Sequence, residues 1–281
     1  MKKPQWITLI LGIGLVAALY YFGKTTPPKK SISPSIENIN EASAFNTDSI
    51  LIAAKKQLNP TQVTWTNTLE NSISRGDVKD QKINVYHQLA HFWGDSMGIF
   101  EPYAWYSAEA ARLENSEKTL TFAARLFLDN LQSDDNASRR KWKALQSKDL
   151  FERSLRLNPE NDSAKVGLGA CYLFGNISAT PMEGILKIRE VTERDSSNLY
   201  AQMMLVKGSL ISGQYDKAII RLLTIHRLHP ENAEAVLILA DTYDRTGDKA
   251  NAIEWYKKSM TYINRQDVKA EIGKRIEELK K

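Results

Sequence analysis

Apolar residues recur every three or four positions along nearly the whole chain beyond residue 47. This spacing puts them on one side of an α-helix, and the alternation that is typical of strands is absent. We therefore expect an all-α fold. Short helices are predicted at about 48–57 and 60–74, and a final amphipathic helix over 267–281.

The residues around Gly213 recur 34 positions later in the chain. Gly213 and Ala218 correspond in this way to Gly247 and Ala252. A fixed period of this length is typical of a repeated helical hairpin, since one hairpin cannot bury its apolar side alone and must stack on its neighbours. Three asparagines follow the same period, with a three-residue insertion between the first two: Asn161, Asn198 and Asn232.

Small and aromatic residues occupy fixed places within the period. Gly169 and Ala240 stand on the first helix of their units, and Tyr172 and Tyr243 follow them three residues later. A further unit closes with the run Leu155 to Pro159. In these features the sequence resembles the tetratricopeptide repeat (TPR) family.

The resemblance implies an all-α, right-handed, TPR-like helical solenoid over residues 47–281. It is clear over about 144–265, and the units over about 79–143 are degenerate. One second helix, over about 137–157, is longer than the family's. The helix over 267–281 is expected to cap the end of the array.

Members of the family bind protein or peptide partners on the concave surface, which the first helices of the units line. The mixture of apolar and charged residues there suits an amphipathic or extended peptide. The family's clamp for a terminal carboxylate is not expected, because these stripes lack asparagine and end in acids. By alignment, the predicted partner-binding residues are Arg125, Val166, Tyr200, Met203, Lys207, Asp241 and Asp244.

Residues 6–22 carry no charge. As a helix they would span roughly 25 Å, enough for a bilayer core of about 30 Å with some thinning. We predict an uncleaved, single-pass transmembrane signal anchor within residues 1–23, followed by a flexible linker over 24–46 rich in turn-forming residues. The alternative is a cleaved signal peptide, with a cleavage site at Val16 to Ala18, but the mature chain would then still begin with apolar residues.

The net charge of +5 belongs to this anchor. Residues 1–30 hold five lysines and no acid, and the rest of the chain holds 33 bases and 33 acids. Lysines flank the anchor on both sides, so the positive-inside rule does not clearly favour either membrane orientation. We favour an extracytoplasmic, periplasmic domain and keep the cytoplasmic side open. The architecture is similar to that of bacterial signal-anchored TPR proteins in envelope assembly or secretion.

Three residues offer the strongest case for catalysis. His87 and His91 lie four apart, with Asp95 one turn on, a spacing that can ligate zinc in a metal-dependent enzyme. The glutamate of the metalloprotease motif is missing, and a polar stripe on a helix is the simpler interpretation. Cys171 is expected in the core. We therefore expect a non-catalytic protein with no cofactor or metal and no small-molecule substrate.

The cluster Arg139 to Lys143 places four bases around a tryptophan. Such a cluster could bind nucleic acid or an anionic surface. Asp134 and Asp135 precede it and are close enough to neutralise it. A solvated helix face is the interpretation we favour, and nucleic acid is not an expected partner.

Overall fold

The computed structural model describes residues 46–75, 78–177 and 181–281, and these lie in one unit of the chain. The predicted anchor and all but the last residue of the predicted linker lie outside the described residues. Thirteen α-helices account for most of the described ranges, which confirms the all-α prediction. They are α1 Thr47–Lys55, α2 Pro60–Arg75, α3 Lys79–His91, α4 Phe100–Glu114, α5 Glu117–Leu131, α6 Ala137–Leu157, α7 Asp162–Phe174, α8 Met182–Arg194, α9 Leu199–Ile211, α10 Tyr215–Leu228, α11 Ala233–Arg245, α12 Lys249–Tyr262 and α13 Gln266–Leu279.

Successive helices pair as hairpins, each packed on the next. The pairs are α3 with α4, α5 with α6, α7 with α8, α9 with α10, and α11 with α12. The first helices of neighbouring hairpins also meet, since α7 packs against both α5 and α9. At the ends, α13 packs on α12, while α1 packs on α4 and α2 on α3. The predicted terminal helices therefore lie against the two ends of the array.

An asparagine starts the first helix of each of three hairpins. Its side-chain oxygen accepts a hydrogen bond from the backbone N–H three residues further on. This satisfies one of the donors that every helix start leaves without a partner. The three bonds are Ala164 N–H to Asn161 Oδ1 at 2.9 Å, Ala201 N–H to Asn198 Oδ1 at 3.0 Å, and Ala235 N–H to Asn232 Oδ1 at 2.8 Å.

A glycine in the left-handed backbone region follows α9 and α11. Gly213 has φ +70° and Gly247 has φ +80°, a conformation that strains any residue with a Cβ. Five residues after each, Ala218 and Ala252 are fully buried on the second helix. The 34-residue period of the sequence therefore corresponds to one helical hairpin.

Helices α7 and α8 cross closely at a pair of glycines. A Cβ on Gly169 would lie 2.6 Å from the carbonyl oxygen of Gly184 and 2.7 Å from Cγ1 of Ile188. Neither distance leaves room for a methyl group in an interior packed this densely. Gly169 therefore lies where two helices cross closely.

Helix α6 is the longest described helix, with 21 residues, as predicted for the second helix of this unit. It places Leu150 and Phe151 in a continuous apolar cluster that runs from α4 to α9, here called the central core. Two smaller clusters follow: the ninth-to-eleventh-helix core, and the terminal core of α11 to α13. The predicted limit at 143/144 between degenerate and clearer units falls inside α6.

Within the ranges 46–75, 78–177 and 181–281, no helix combines the length and the apolar character that a bilayer crossing requires.

Candidate functional site

The residues predicted to bind a partner all lie on first helices, but the structure does not present all of them to solvent. Val166 is fully buried in the central core, and Met203 is nearly buried in the ninth-to-eleventh-helix core. A partner therefore could not reach these two without displacing other side chains. Of the remaining predicted residues, Arg125 and Asp241 are exposed, and Tyr200, Lys207 and Asp244 are partly buried.

Arg125 on α5 and Tyr200 on α9 meet across α7. The Arg125 guanidinium carbon lies 5.1 Å from the centre of the Tyr200 ring, a distance at which a cation and an aromatic face attract. The Tyr200 hydroxyl is buried and has no hydrogen-bond partner among the described residues. Burial raises the pKa of Tyr200, and the negative charge of Asp129 adds to the rise while Arg125 opposes it.

Lys207, two turns along α9 from Tyr200, faces the start of α11. Its Nζ lies 3.7 Å from Oε1 of Glu234, and the two side chains are 31% and 61% exposed. Such an exposed, loosely spaced pair contributes little stability and can exchange its partner for a ligand. We call Arg125 of α5, Tyr200 and Lys207 of α9 and Glu234 of α11 the first-helix surface.

Asp241 and Asp244 hold neighbouring helices in place. The Tyr256 hydroxyl on α12 donates to Asp241 Oδ1 at 2.6 Å. Arg275 on α13 donates twice to Asp244, from Nε at 2.7 Å and from Nη2 at 2.9 Å. These hydrogen bonds hold the pKa of the Asp244 carboxyl below its usual range. The Asp244 side chain is only 13% exposed, so it is engaged within the chain rather than open to a partner.

The histidines of α3 face different carboxylates. His87 Nε2 lies 2.8 Å from Oε1 of Glu114 on α4, whereas His91 Nδ1 lies 2.9 Å from Oδ2 of Asp95. In the part of the chain that the structure describes, no three His, Cys, Asp or Glu side chains converge as a metal site would require. His87, His91 and Asp95 therefore do not form one ligand set in this arrangement.

The basic cluster at the start of α6 is largely an internal ion network. Lys143 is 2% exposed, and its Nζ donates to Asp134 Oδ2 at 2.6 Å and lies 3.0 Å from Oε1 of Glu101. Arg139 Nη2 also donates to Asp134, at 2.7 Å. Burial alone would raise the pKa of Asp134, but the hydrogen bonds from Arg139 and Lys143 outweigh it and hold the pKa well below its usual range.

The preferred interpretation of this cluster as a solvated face was therefore wrong for its last two residues, Trp142 and Lys143. Trp142 packs edge-on against Phe127 at 5.3 Å and is buried with Lys143. The expectation that Asp134 neutralises the cluster is confirmed. Lys141 is exposed, but the anion-binding surface that four accessible bases would make is not present.

Cys171 lies in the central core, as predicted. Its Sγ donates to the Ser147 hydroxyl at 3.2 Å. Burial raises the pKa of the Cys171 thiol to about 12, although the bond to Ser147 opposes the rise. The thiolate that a nucleophile needs is therefore strongly disfavoured at neutral pH. Gly167, two residues before Gly169, lies against the ring of Phe151, so both glycines serve helix packing.

Comparison with known proteins identifies one segment of the chain by sequence. Residues 210–260 match the family model described as tetratricopeptide repeat. This segment begins at the end of α9 and runs through most of α12. No curated protein sequence matches the chain.

Several solved structures are similar in fold. One is MamA, from residue 41 to its end, of Desulfovibrio magneticus RS-1: it is 21% identical, the match covers 68% of this chain and 98% of that chain, and the TM-score is 0.45. Another is YrrB, described as a TPR protein with an unusual peptide-binding site: it is 16% identical, with 74% and 99% covered and a TM-score of 0.43.

Proposed function

We propose that this protein is a non-catalytic scaffold, tethered to a membrane, that holds a protein partner through the first-helix surface. The ligand we propose is an amphipathic or extended segment of the partner. The match of residues 210–260 to the TPR family supports the general class. Envelope assembly or secretion is the proposed setting, and it rests on the combination of an anchor with repeats.

The contact between Arg125 and Tyr200 is the observation that carries this proposal. The stacked ring orients the guanidinium, whose five N–H donors suit backbone carbonyls and carboxylates of an extended chain. Lys207 lies two turns further along α9, and its ion pair with Glu234 is long, at 3.7 Å. An extended segment lying along α9 would therefore meet an aromatic contact and two cations that could fix its register.

Reversing the two cations tests the surface. Arg125→Glu with Lys207→Glu should reduce capture of the partner at least tenfold in crosslinked pull-down from membranes. The matched control is Lys249→Glu with Lys257→Glu, which makes the same charge change at exposed positions of α12. Both variants should keep the wild-type helix content and melting temperature.

Equal capture by the two double variants would remove the first-helix surface from consideration. Met203→Glu is unsuitable here, because Met203 is only 6% exposed and the variant would place a charge in a core.

The tether is proposed from residues 6–22, with the repeats outside the cytoplasm. Its support is the uncharged run bracketed by lysines in the sequence. A protease added to intact spheroplasts should digest the helical array and leave a short membrane-bound fragment. Complete protection until the membrane is broken would place the array in the cytoplasm, and recovery of the full-length protein in the soluble fraction would disprove the tether.

A further inference from the structure

A groove of about 300 Å³ lies between the second helices α8 and α10. Met182, Ile185 and Arg189 line it from α8, and Lys217 and Arg221 line it from α10. Between them the end of α9 contributes to the lining, and Leu173 of α7 lies against Gly208, which has no side chain to displace it.

This groove and the first-helix surface lie on opposite sides of α9. Ser209 lines the groove and comes nine residues after Tyr200, which is about two and a half turns of an α-helix. The side chains of Tyr200 and Ser209 therefore project from opposite sides of α9. A ligand in the groove would leave the first-helix surface free, so a binding site in the groove does not depend on the function proposed for that surface.

Arg221 holds an uncompensated charge in the groove. Its Nη1 donates to the side-chain oxygen of Gln202 at 3.0 Å, and Gln202 is itself held by a hydrogen bond from its Nε2 to the Ser196 carbonyl at 3.0 Å. Among the described residues, no carboxylate lies within ion-pair distance of Arg221 or Lys217. A neutral amide thus orients the guanidinium and leaves its charge available to an anion.

A second guanidinium, that of Arg189, adds to the positive charge of the groove. Burial lowers the pKa of Arg221, and the positive charge of Arg189 lowers it further. Within the described ranges, Arg189 forms an ion pair only with Glu193 on its own helix, at 3.0 Å, and those side chains are 52% and 66% exposed. A bound carboxylate would relieve the repulsion across the groove.

Apolar side chains lie beside the cations in the groove. Met182 of α8 lines the groove and is 57% exposed. Scattered apolar residues are normal on a protein surface, but Met182 belongs to a lining that also contains Leu173, Ile185 and Leu205. The ligand should therefore carry aliphatic groups next to its negative charge.

We propose that the groove between α8 and α10 binds an acidic peptide segment. A carboxylate of the segment lies between Arg221, Lys217 and Arg189. Neighbouring aliphatic side chains of the segment pack on Met182 and Ile185. This is a second peptide site, on the opposite side of α9 from the first-helix surface.

A phage-displayed library of random 12-residue peptides, selected on the purified full-length chain, tests the proposal. Selected peptides are then re-bound to three variants. Arg221→Gln removes the oriented charge, Arg227→Gln makes the same change at an exposed position of α10 outside the groove, and Arg125→Gln alters the first-helix surface. Circular dichroism and melting temperature establish that each variant is folded.

We expect a set of peptides that combine Asp or Glu with Leu, Ile or Met and lose at least tenfold in affinity to Arg221→Gln. The same peptides should bind Arg227→Gln and Arg125→Gln as tightly as the wild type. Replacing their acids by Asn or Gln should cause a similar loss. The proposal is overturned if no selected peptide distinguishes Arg221→Gln from wild type, or if those that do lack a carboxylate. If all selected peptides lost affinity to Arg125→Gln and none lost affinity to Arg221→Gln, the result would support the first-helix surface and reject the groove.

Discussion

The central core and the two C-terminal cores are built in different ways. The central core joins helices from α4 to α9 in one apolar cluster, with a glycine crossing inside it and the Lys143–Asp134 ion pair beside it. Beyond it, the buried residues separate into one cluster of α9 to α11 and another of α11 to α13. The C-terminal part is also where the 34-residue period is most regular.

In the C-terminal part, the regular repeat goes with an interior that is divided between successive hairpins. In a regular array each hairpin touches only its neighbours, so stability is approximately a sum of local contributions. Helix α6 departs from the repeat in its length of 21 residues, and it packs more extensively on α5 and α7 than α8 or α10 packs on its own two neighbours. This joins several hairpins into one interior. We therefore expect the central core to unfold as a unit and the C-terminal hairpins to open separately.

The buried ion pair should give the largest effect. Asp134→Asn leaves Lys143 buried without its nearest counter-charge, although Glu101 remains 3.0 Å away. Breaking a buried pair by removing one partner costs about 3 kcal/mol at the low end of its range. Urea denaturation at pH 7 should show this loss as a lower free energy of unfolding of the central core. Asp135→Asn, an exposed neighbour, should change the free energy of unfolding by less than about 0.5 kcal/mol.

The pH dependence of the same variant has a definite sign. The pKa of Asp134 is lower in the folded chain than its unfolded value of about 3.9. Its contribution is therefore fully present above that value and is lost as the pH falls toward the folded pKa. The difference in stability between wild type and Asp134→Asn should stay constant from pH 7 to pH 5 and shrink below pH 4. A gap that did not shrink at all between pH 5 and pH 3 would show that shape, not charge, causes the loss.

The glycine crossing should give the next largest effect. Gly169→Ala brings a methyl group to 2.6 Å from the Gly184 carbonyl oxygen, so α7 and α8 must move apart. Overpacking of this kind costs about 2 kcal/mol. The control is Gly273→Ala on α13, where an added Cβ meets nothing within 4 Å. There the better helix propensity of alanine should stabilise by about 0.5–1 kcal/mol, and a melting series on the two variants should show opposite signs.

Much of the fold could be predicted because its signals are local. The spacing of apolar residues, the asparagine that caps a helix and the glycine that ends one act within a few residues of themselves. The burial of Lys143 could not be predicted in this way, because it depends on α4 bringing Glu101 to the start of α6. Within the sequence alone, Lys143 is one of four neighbouring bases.

The candidate site was predictable only as far as the repeat register extends. The register places Arg125 and Tyr200 on equivalent stripes of first helices, and the structure brings them into contact. It does not reveal that Val166, on the same stripe of α7, is buried between α5 and α9. Nor does it reveal that Asp244 is engaged by Arg275 of the terminal helix, because α13 lies outside the repeat.

The pair between α11 and α13 should give the smallest and most local effect. Arg275→Gln removes both hydrogen bonds to Asp244, so α13 should open more often from the terminal core. Hydrogen exchange followed by mass spectrometry should show faster exchange over 266–279 and unchanged protection over α5 to α7. Lys274→Gln, which removes an adjacent exposed charge, should leave the exchange of α13 unchanged. If Arg275→Gln also weakened protection in α5 to α7, the C-terminal hairpins would be coupled to the central core, and the separation inferred from their divided interiors would fail.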